Sequence, residues 1–252
     1  MISRLKSMIS DKEESSLIRL KSRLKSMISR LKSMISRLKS MISDNIGGER
    51  GVQWTEVISL EPRASIYHNF LSKEECEYLI KLATPRMKKS KVVDSKTGKS
   101  KESRNRTSSG MFVERGQDKV IRAIEKRIAD YTLIPVEHGE NLQVLHYEVG
   151  QKYVPHYDYF VNELFTRNGG QRMATLLMYF TVAANGEPER AKKGISVKPK
   201  MGDALLFWNM RPDATLDPLS LHGSYPVIKG DKWSCTKWMH VGEFKIRNRK
   251  GV

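Results

Sequence analysis

His156 and Asp158, separated by a single residue, and His222 far downstream are the side chains of this sequence whose types and spacing could do chemistry. In an extended strand, residues two apart project from one face, so the imidazole at 156 and the carboxylate at 158 can converge on one ion while Tyr157 points away. Two imidazoles and a carboxylate on one face of an octahedral ion leave positions open for an oxidisable ligand and dioxygen, an arrangement suited to non-haem Fe(II). Lys232, ten residues after His222, adds an ammonium that can pair with one end of a dicarboxylate as a point charge.

The elements that position these residues read mainly as strands: Leu142 to Tyr147, Tyr153 to Phe160, Ala174 to Val182, Ile195 to Lys198, Asp203 to Trp208 and Lys232 to Val241. On the last of them, Lys232, Ser234, Thr236 and Trp238 share one face, and Trp233, Cys235 and Lys237 the other. Upstream, the chain alternates as a strand from Trp54 to about Tyr67. Ser72-Lys73-Glu74-Glu75 opens a helix to about Ala83, and a second helix spans Asp118 to about Tyr131, with Val120, Ile121, Ile124 and Ile128 as its apolar stripe. The Lys, Ser and Thr content of Lys88 to Ser109 predicts a mobile loop. Short strands with Gly and Pro turns indicate a jelly-roll of α+β class, with helices covering one sheet.

Two stretches carry a resemblance. One is Tyr147-Glu148-Val149-Gly150-Gln151-Lys152-Tyr153-Val154-Pro155-His156-Tyr157-Asp158. The other runs Leu221-His222-Gly223-Ser224-Tyr225-Pro226 and on through Gly230-Asp231-Lys232-Trp233-Ser234-Cys235-Thr236-Lys237-Trp238. Together they resemble the prolyl 4-hydroxylases, specifically the short plant and algal type, from about Trp54 to Phe244. The resemblance implies a double-stranded β-helix core with His156, Asp158 and His222 as iron ligands. It implies that Lys232 and Tyr147 hold the 5-carboxylate of 2-oxoglutarate, and that Tyr153, Arg172 and Trp238 line the peptide groove or the wall beside the metal. The implied cofactors are Fe(II), 2-oxoglutarate as cosubstrate and ascorbate. The implied partners are dioxygen and a proline-rich polypeptide of the cell-wall hydroxyproline-rich class, and the implied compartment is the lumen of the endoplasmic reticulum or Golgi.

Composition sets looser bounds. The chain has 252 residues, 39% of them hydrophobic, and a formal charge of +17, enough apolar content for one main core. Residues 1–43 hold eleven Lys or Arg against three acids and repeat the heptad Arg-Leu-Lys-Ser-Met-Ile-Ser. As a helix this segment is amphipathic and basic, able to lie on an anionic membrane surface or to self-associate; identical heptads are equally the mark of a tandem duplication or a misassigned first exon. The basic tail 245–252 clusters Lys and Arg that can neutralise phosphates, but it lacks the interleaved aromatics that stack nucleic-acid bases, which argues against a nucleic-acid partner. No apolar run reaches the length of about 18 residues that spans a bilayer, and no signal-peptide core is visible. The domain organisation expected is the heptad segment 1–43, a Gly-rich linker 44–53, a support region 54–135, the oxygenase domain 136–244 and a basic tail 245–252.

Cys76 and Cys235 can pair at most once. His68, His138, His146 and His240 lack the ligand spacing and read as hydrogen-bonded structural or surface groups. In the enzymes it resembles, a barrel strand Thr-Val-Phe-Pro follows the counterpart of Asn185-Gly186-Glu187, whereas this chain passes through Pro188 and Glu189 directly to Arg190. The expectation is one barrel strand deleted near 187–190. That leaves two readings, an active hydroxylase or a catalytically impaired family member that binds proline-rich peptide.

Overall fold

The alternation that begins at Trp54 does not continue to Tyr67 as one strand. In the computed structural model, which describes residues 50–93, 100–181, 184–185 and 194–246, it forms a hairpin of β1 (Trp54–Leu60) and β2 (Arg63–His68) that turns at Pro62. Proline lacks the N–H that a strand interior needs and marks the turn instead.

Both expected helices form where their caps predict. Ser72 Oγ accepts from Glu75 N at 3.1 Å and the Glu75 carboxylate accepts from Ser72 N at 2.9 Å, opening α1 (Lys73–Ala83) with a reciprocal box. Asp118 caps α2 (Lys119–Thr132) through Val120 N and Ile121 N. Ile121, Ile124 and Ile128 are buried with Cys76 and Leu79 of α1, and Val120 packs at the margin of that core.

The described residues of the Lys88–Ser109 stretch include short strands where composition predicts only loop. They contribute β3 (Lys88–Lys89), β4 (Val92–Val93) and β5 (Ser100–Lys101), with β4 paired to β5 and β3 to β6 (Ser109–Val113). Ser90, Arg106 and Ser108 are buried, and Ser90 N donates to Ser108 O at 2.8 Å. These three polar side chains turn inward while Lys88, Lys89, Lys91, Glu102, Arg104 and Asn105 stay exposed, a division that composition cannot show.

Downstream come β7 (Leu142–Tyr147), β8 (Tyr153–His156), β9 (Arg172–Tyr179), β10 (Ala184–Asn185), β11 (Ala204–Trp208), β12 (His222–Ser224), β13 (Val227–Lys229) and β14 (Lys232–His240). Eight strands form one antiparallel sheet in the order β1-β2-β11-β9-β14-β7-β6-β3. It draws on residues either side of 135. The second layer consists of two short ladders, β8 with β12 and β10 with β13, which meet the sheet where Val227 and Tyr153 pack on Leu145 and Tyr147. Helices cover one face of the sheet and these ladders the other, giving the α+β double-stranded β-helix.

The strand expected at Ile195–Lys198 does not form, and 195–200 is irregular. Pro199 removes a donor there, and β10 spends its pairing on β13. The deletion expected near 187–190 and the heptads of 1–43, with their proposed membrane contact, lie outside the described residues. Among the described residues no helix is long and apolar enough to cross a membrane.

All nine positions of β14 are buried, so its alternation separates two interiors rather than core from water. Trp233, Cys235 and Met239 enter the core beneath the helices. Lys237 points the same way and its ammonium donates to Glu125 Oε1 at 2.6 Å, each side chain 2% exposed, while Glu125 Oε2 accepts from Gly116 N at 2.8 Å. A Cβ at Gly139 would collide with the Lys237 stem, so this close approach needs glycine. The pair ties α2 to β14 and sets which face of β14 looks into the other cavity. Glu125→Ala, which strands a buried ammonium, is expected to destabilise the fold by about 3–5 kcal/mol in urea denaturation. Cys76 and Cys235 remain free and buried, and burial pushes both thiols up in pKa.

Candidate active site

β8 ends at His156, so Asp158 lies in a bend past the strand and not on it as the sequence predicts. The alternation of sides survives the bend: Tyr157 is 37% exposed and Asp158 only 6%. β12 pairs with β8 so that His222 lies directly opposite His156. Ligand atoms of His156, Asp158 and His222 all fall within 4.8 Å of one another. His156 Nε2 is 3.6 Å from Asp158 Oδ1, and His222 Nε2 is 3.4 Å from Asp158 Oδ2.

Both imidazoles are oriented by backbone carbonyls two residues before them. His156 Nδ1 lies 3.0 Å from Val154 O and His222 Nδ1 2.9 Å from Ser220 O. A carbonyl only accepts, so Nδ1 carries the proton and each Nε2 presents a lone pair to the cluster. Burial lowers the His222 pKa, against the opposing pull of Asp158, and so favours the neutral ring that a metal requires. Burial alone raises the Asp158 carboxyl, but His222, His156 and Arg172 outweigh it and hold the group well below the usual carboxylate range. Two neutral nitrogens and one anionic oxygen form a donor set that fits Fe(II).

Lys232 stands on β14 directly opposite Tyr147 of β7. Its ammonium is buried and donates to Ser224 Oγ at 3.0 Å, with the rings of Tyr147 and Tyr179 at 5.4 and 5.9 Å. Among the described residues it has no carboxylate partner, and burial pushes its pKa down to about 8. Further along the same face, Ser234 Oγ and Trp238 Nε1 are buried without hydrogen-bond partners. A lone buried cation beside orphaned donors fits a dianionic cosubstrate reaching from Lys232 toward the triad.

The remaining expected residues flank this space. Tyr153 stacks on the His156 ring at 3.6 Å between centroids and lies with its ring centroid 4.7 Å from the buried Arg106 guanidinium, so it forms a wall of the metal cluster. Arg172 is held by Glu140, its Nε donating to Oε1 at 2.6 Å and its terminal nitrogen to Oε2 at 3.1 Å. It lies 4.1 Å from the Trp238 ring centroid and 4.9 Å from that of Phe160. Glu140 also binds His240 Nε2 at 2.8 Å, which accounts for that histidine structurally. His68 is likewise engaged by Asp203 and Glu56, His146 by Asp231, and His138 by His240 O.

Sequence reading did not single out Ser224, Thr175, Asn209 or Glu140. Ser224 carried a usable signal, being two residues past His222 on one strand face. Thr175, a hydroxyl inside an apolar run, carried another; Glu140 and Asn209 carried none.

With this geometry in view, the comparisons with known proteins are specific. Residues 142–240 match the family model of the 2OG-Fe(II) oxygenase superfamily. Probable prolyl 4-hydroxylase 3 of Arabidopsis thaliana is 68% identical over 219 residues, covering 79% of this chain and 76% of that protein. Prolyl 4-hydroxylase 5 of the same plant is 61% identical, covering 78% and 74%. Among solved structures, the viral collagen prolyl hydroxylase of Paramecium Bursaria Chlorella virus-1 in its 2OG complex is 27% identical, with a TM-score of 0.54 over 69% of this chain and 94% of that one. A triad suited to iron, a buried ammonium suited to 2-oxoglutarate and relatives of this identity and extent agree: the chain belongs to the prolyl 4-hydroxylase family of Fe(II) and 2-oxoglutarate dependent oxygenases.

Proposed function

We propose that the protein hydroxylates C4 of prolyl residues in proline-rich polypeptides, with Fe(II), dioxygen and 2-oxoglutarate. The observation that carries the reading is the convergence of His156, Asp158 and His222 within one barrel that also holds the buried Lys232, which has no carboxylate partner among the described residues. Bound iron with 2-oxoglutarate and dioxygen supplies an oxidation in which one oxygen atom goes to succinate, with release of CO2, and the other to the prolyl hydroxyl.

The rest is the work of the protein's own side chains. His156, Asp158 and His222 hold the metal, with both rings fixed by their Nδ1 bonds. Lys232, supported by Ser224 and faced by Tyr147, holds the distal carboxylate of the cosubstrate. Burial of that pocket excludes water from a reactive site. Tyr153, Trp238 and Arg172 offer ring faces and a planar cation to a substrate already extended as polyproline II, which binds at small entropic cost. Ascorbate would serve as the accompanying reductant, and the substrate class favours action in the lumen of the endoplasmic reticulum or Golgi.

The test is to incubate the full chain with Fe(II), 2-oxoglutarate, ascorbate and a proline-rich peptide, reading hydroxyproline by mass spectrometry beside succinate. Hydroxyproline and succinate are expected in near-equal amounts. Succinate without hydroxyproline indicates a peptide groove impaired near 187–190. Peptide binding with neither product supports the binding-module alternative.

A further inference from the structure

Thr175 and Asn209 are almost wholly buried behind Asp158. Thr175 Oγ1 donates to Asp158 Oδ2 at 2.8 Å and accepts from Asn209 Nδ2 at 3.0 Å. The direction of this relay is forced, because an ionised carboxylate only accepts and the threonine hydroxyl has one proton to give. Asn209 therefore presents its NH2 group to Thr175, and its Oδ1 is left buried with no partner among the described residues. A buried amide oxygen left unpaired is unfavourable for stability alone.

The backbone of the same residue leads to a second member of the triad. Asp217 N donates to Asn209 O at 2.9 Å, Ser220 N donates to Asp217 O at 3.1 Å, and His222 Nδ1 bonds Ser220 O at 2.9 Å. Asn209 N is itself fixed to Met173 O of β9 at 2.9 Å.

We propose that the Asn209 side chain is a positioning group for the metal-holding Asp158, acting through Thr175, while the backbone of the same residue carries the Asp217–Ser220 turn that orients His222. The inference rests on the metal-site reading above. With Thr175 on Oδ2, the Asp158 carboxylate cannot turn freely about its Cβ–Cγ bond, and the His222 arm is referred to the same anchor. Outer partners of metal ligands typically change metal affinity by about 10–100-fold.

The experiment is an anaerobic Co(II) titration of the full chain, wild type beside Asn209→Ala, Thr175→Val, Thr175→Ser and the double variant Thr175→Val with Asn209→Ala. We expect Asn209→Ala and Thr175→Val each to weaken Co(II) binding by about 10–100-fold and to shift its ligand-field absorption bands. Thr175→Ser, which keeps the hydroxyl, restores both, and the double variant is no weaker than the worse single one. Thermal unfolding is recorded alongside, and the near-isosteric Thr175→Val carries the test if Asn209→Ala does not fold. A lower Tm with wild-type affinity and spectrum reduces the pair to packing and overturns the proposal, and additive losses overturn the coupling through Thr175. A wild type that binds no Co(II) at all overturns the metal-site reading and this inference with it, an outcome distinct from a competent wild type with indifferent variants.

Discussion

Asp158→Ala and His156→Ala are each expected to lower Fe(II) affinity by more than about 100-fold, since even the outer hydrogen-bond partners of ligands are worth about 10–100-fold. The fold should persist. Asp158 lies in a bend at the end of β8, and its removal takes one acceptor from Thr175 without opening the core beneath the helices. Iron content by elemental analysis after gel filtration, with circular dichroism as the control for folding, reads both halves. Full retention of iron in both variants would exclude the site. The pH dependence carries a sign as well: burial lowers the His222 pKa from its ordinary 6.5, so its neutral form survives to more acidic pH than in a free imidazole. Protonation of His222 should therefore release iron only at a pH below 6.5.

Lys232→Met should separate binding from stability. Truncating one partner of a buried charge pair costs about 2–5 kcal/mol, so the 2-oxoglutarate requirement is expected to rise by at least about tenfold. Iron binding should change little. The variant without cosubstrate should nevertheless be more stable than wild type near neutral pH. Burial holds the folded-state pKa of Lys232 at about 8, below the ordinary 10.5, and that difference corresponds to destabilisation on the order of 3 kcal/mol while both states are protonated.

The linkage has a definite direction. Unfolded chains bind more protons than folded ones between about pH 8 and 10.5, so wild-type stability from this group rises across that window and the advantage of Lys232→Met shrinks. Over the same range the wild type should bind 2-oxoglutarate more weakly, as the ammonium deprotonates. Urea denaturation at pH 7 and pH 9.5, beside 2-oxoglutarate saturation curves, measures both trends. An unchanged saturation curve in Lys232→Met would pass the anchoring role to another cation. Arg172 is a poor substitute, because Glu140 already holds it in a two-point ion pair.

What the sequence by itself determined was everything that local spacing encodes. The cap at Ser72 depends on residues three apart, the stripe of α2 on its own helical period, and the two faces of β14 on strict alternation, and each appears where the residues predict. The opposite orientations of Tyr157 and Asp158 follow from the same alternation. Family resemblance, carried by His156, Asp158, His222 and Lys232 at their mutual distances, named the chemistry before any contact was known.

Only the tertiary structure decided which distant groups meet. His222 reaches His156 through the pairing of β12 with β8, and Lys232 reaches Tyr147 through that of β14 with β7. Glu140 claims Arg172 from 32 positions away, and Asn209 reaches Thr175 across 34. Local pattern also failed where a strand needs a partner rather than a propensity: Pro62 divided one expected strand, and Ile195–Lys198 formed none. A side chain's own neighbours along the chain specify the face it takes, because that is backbone geometry. The neighbour across the cavity depends on sheet register and loop closure, which are settled by the free energy of the whole packed barrel.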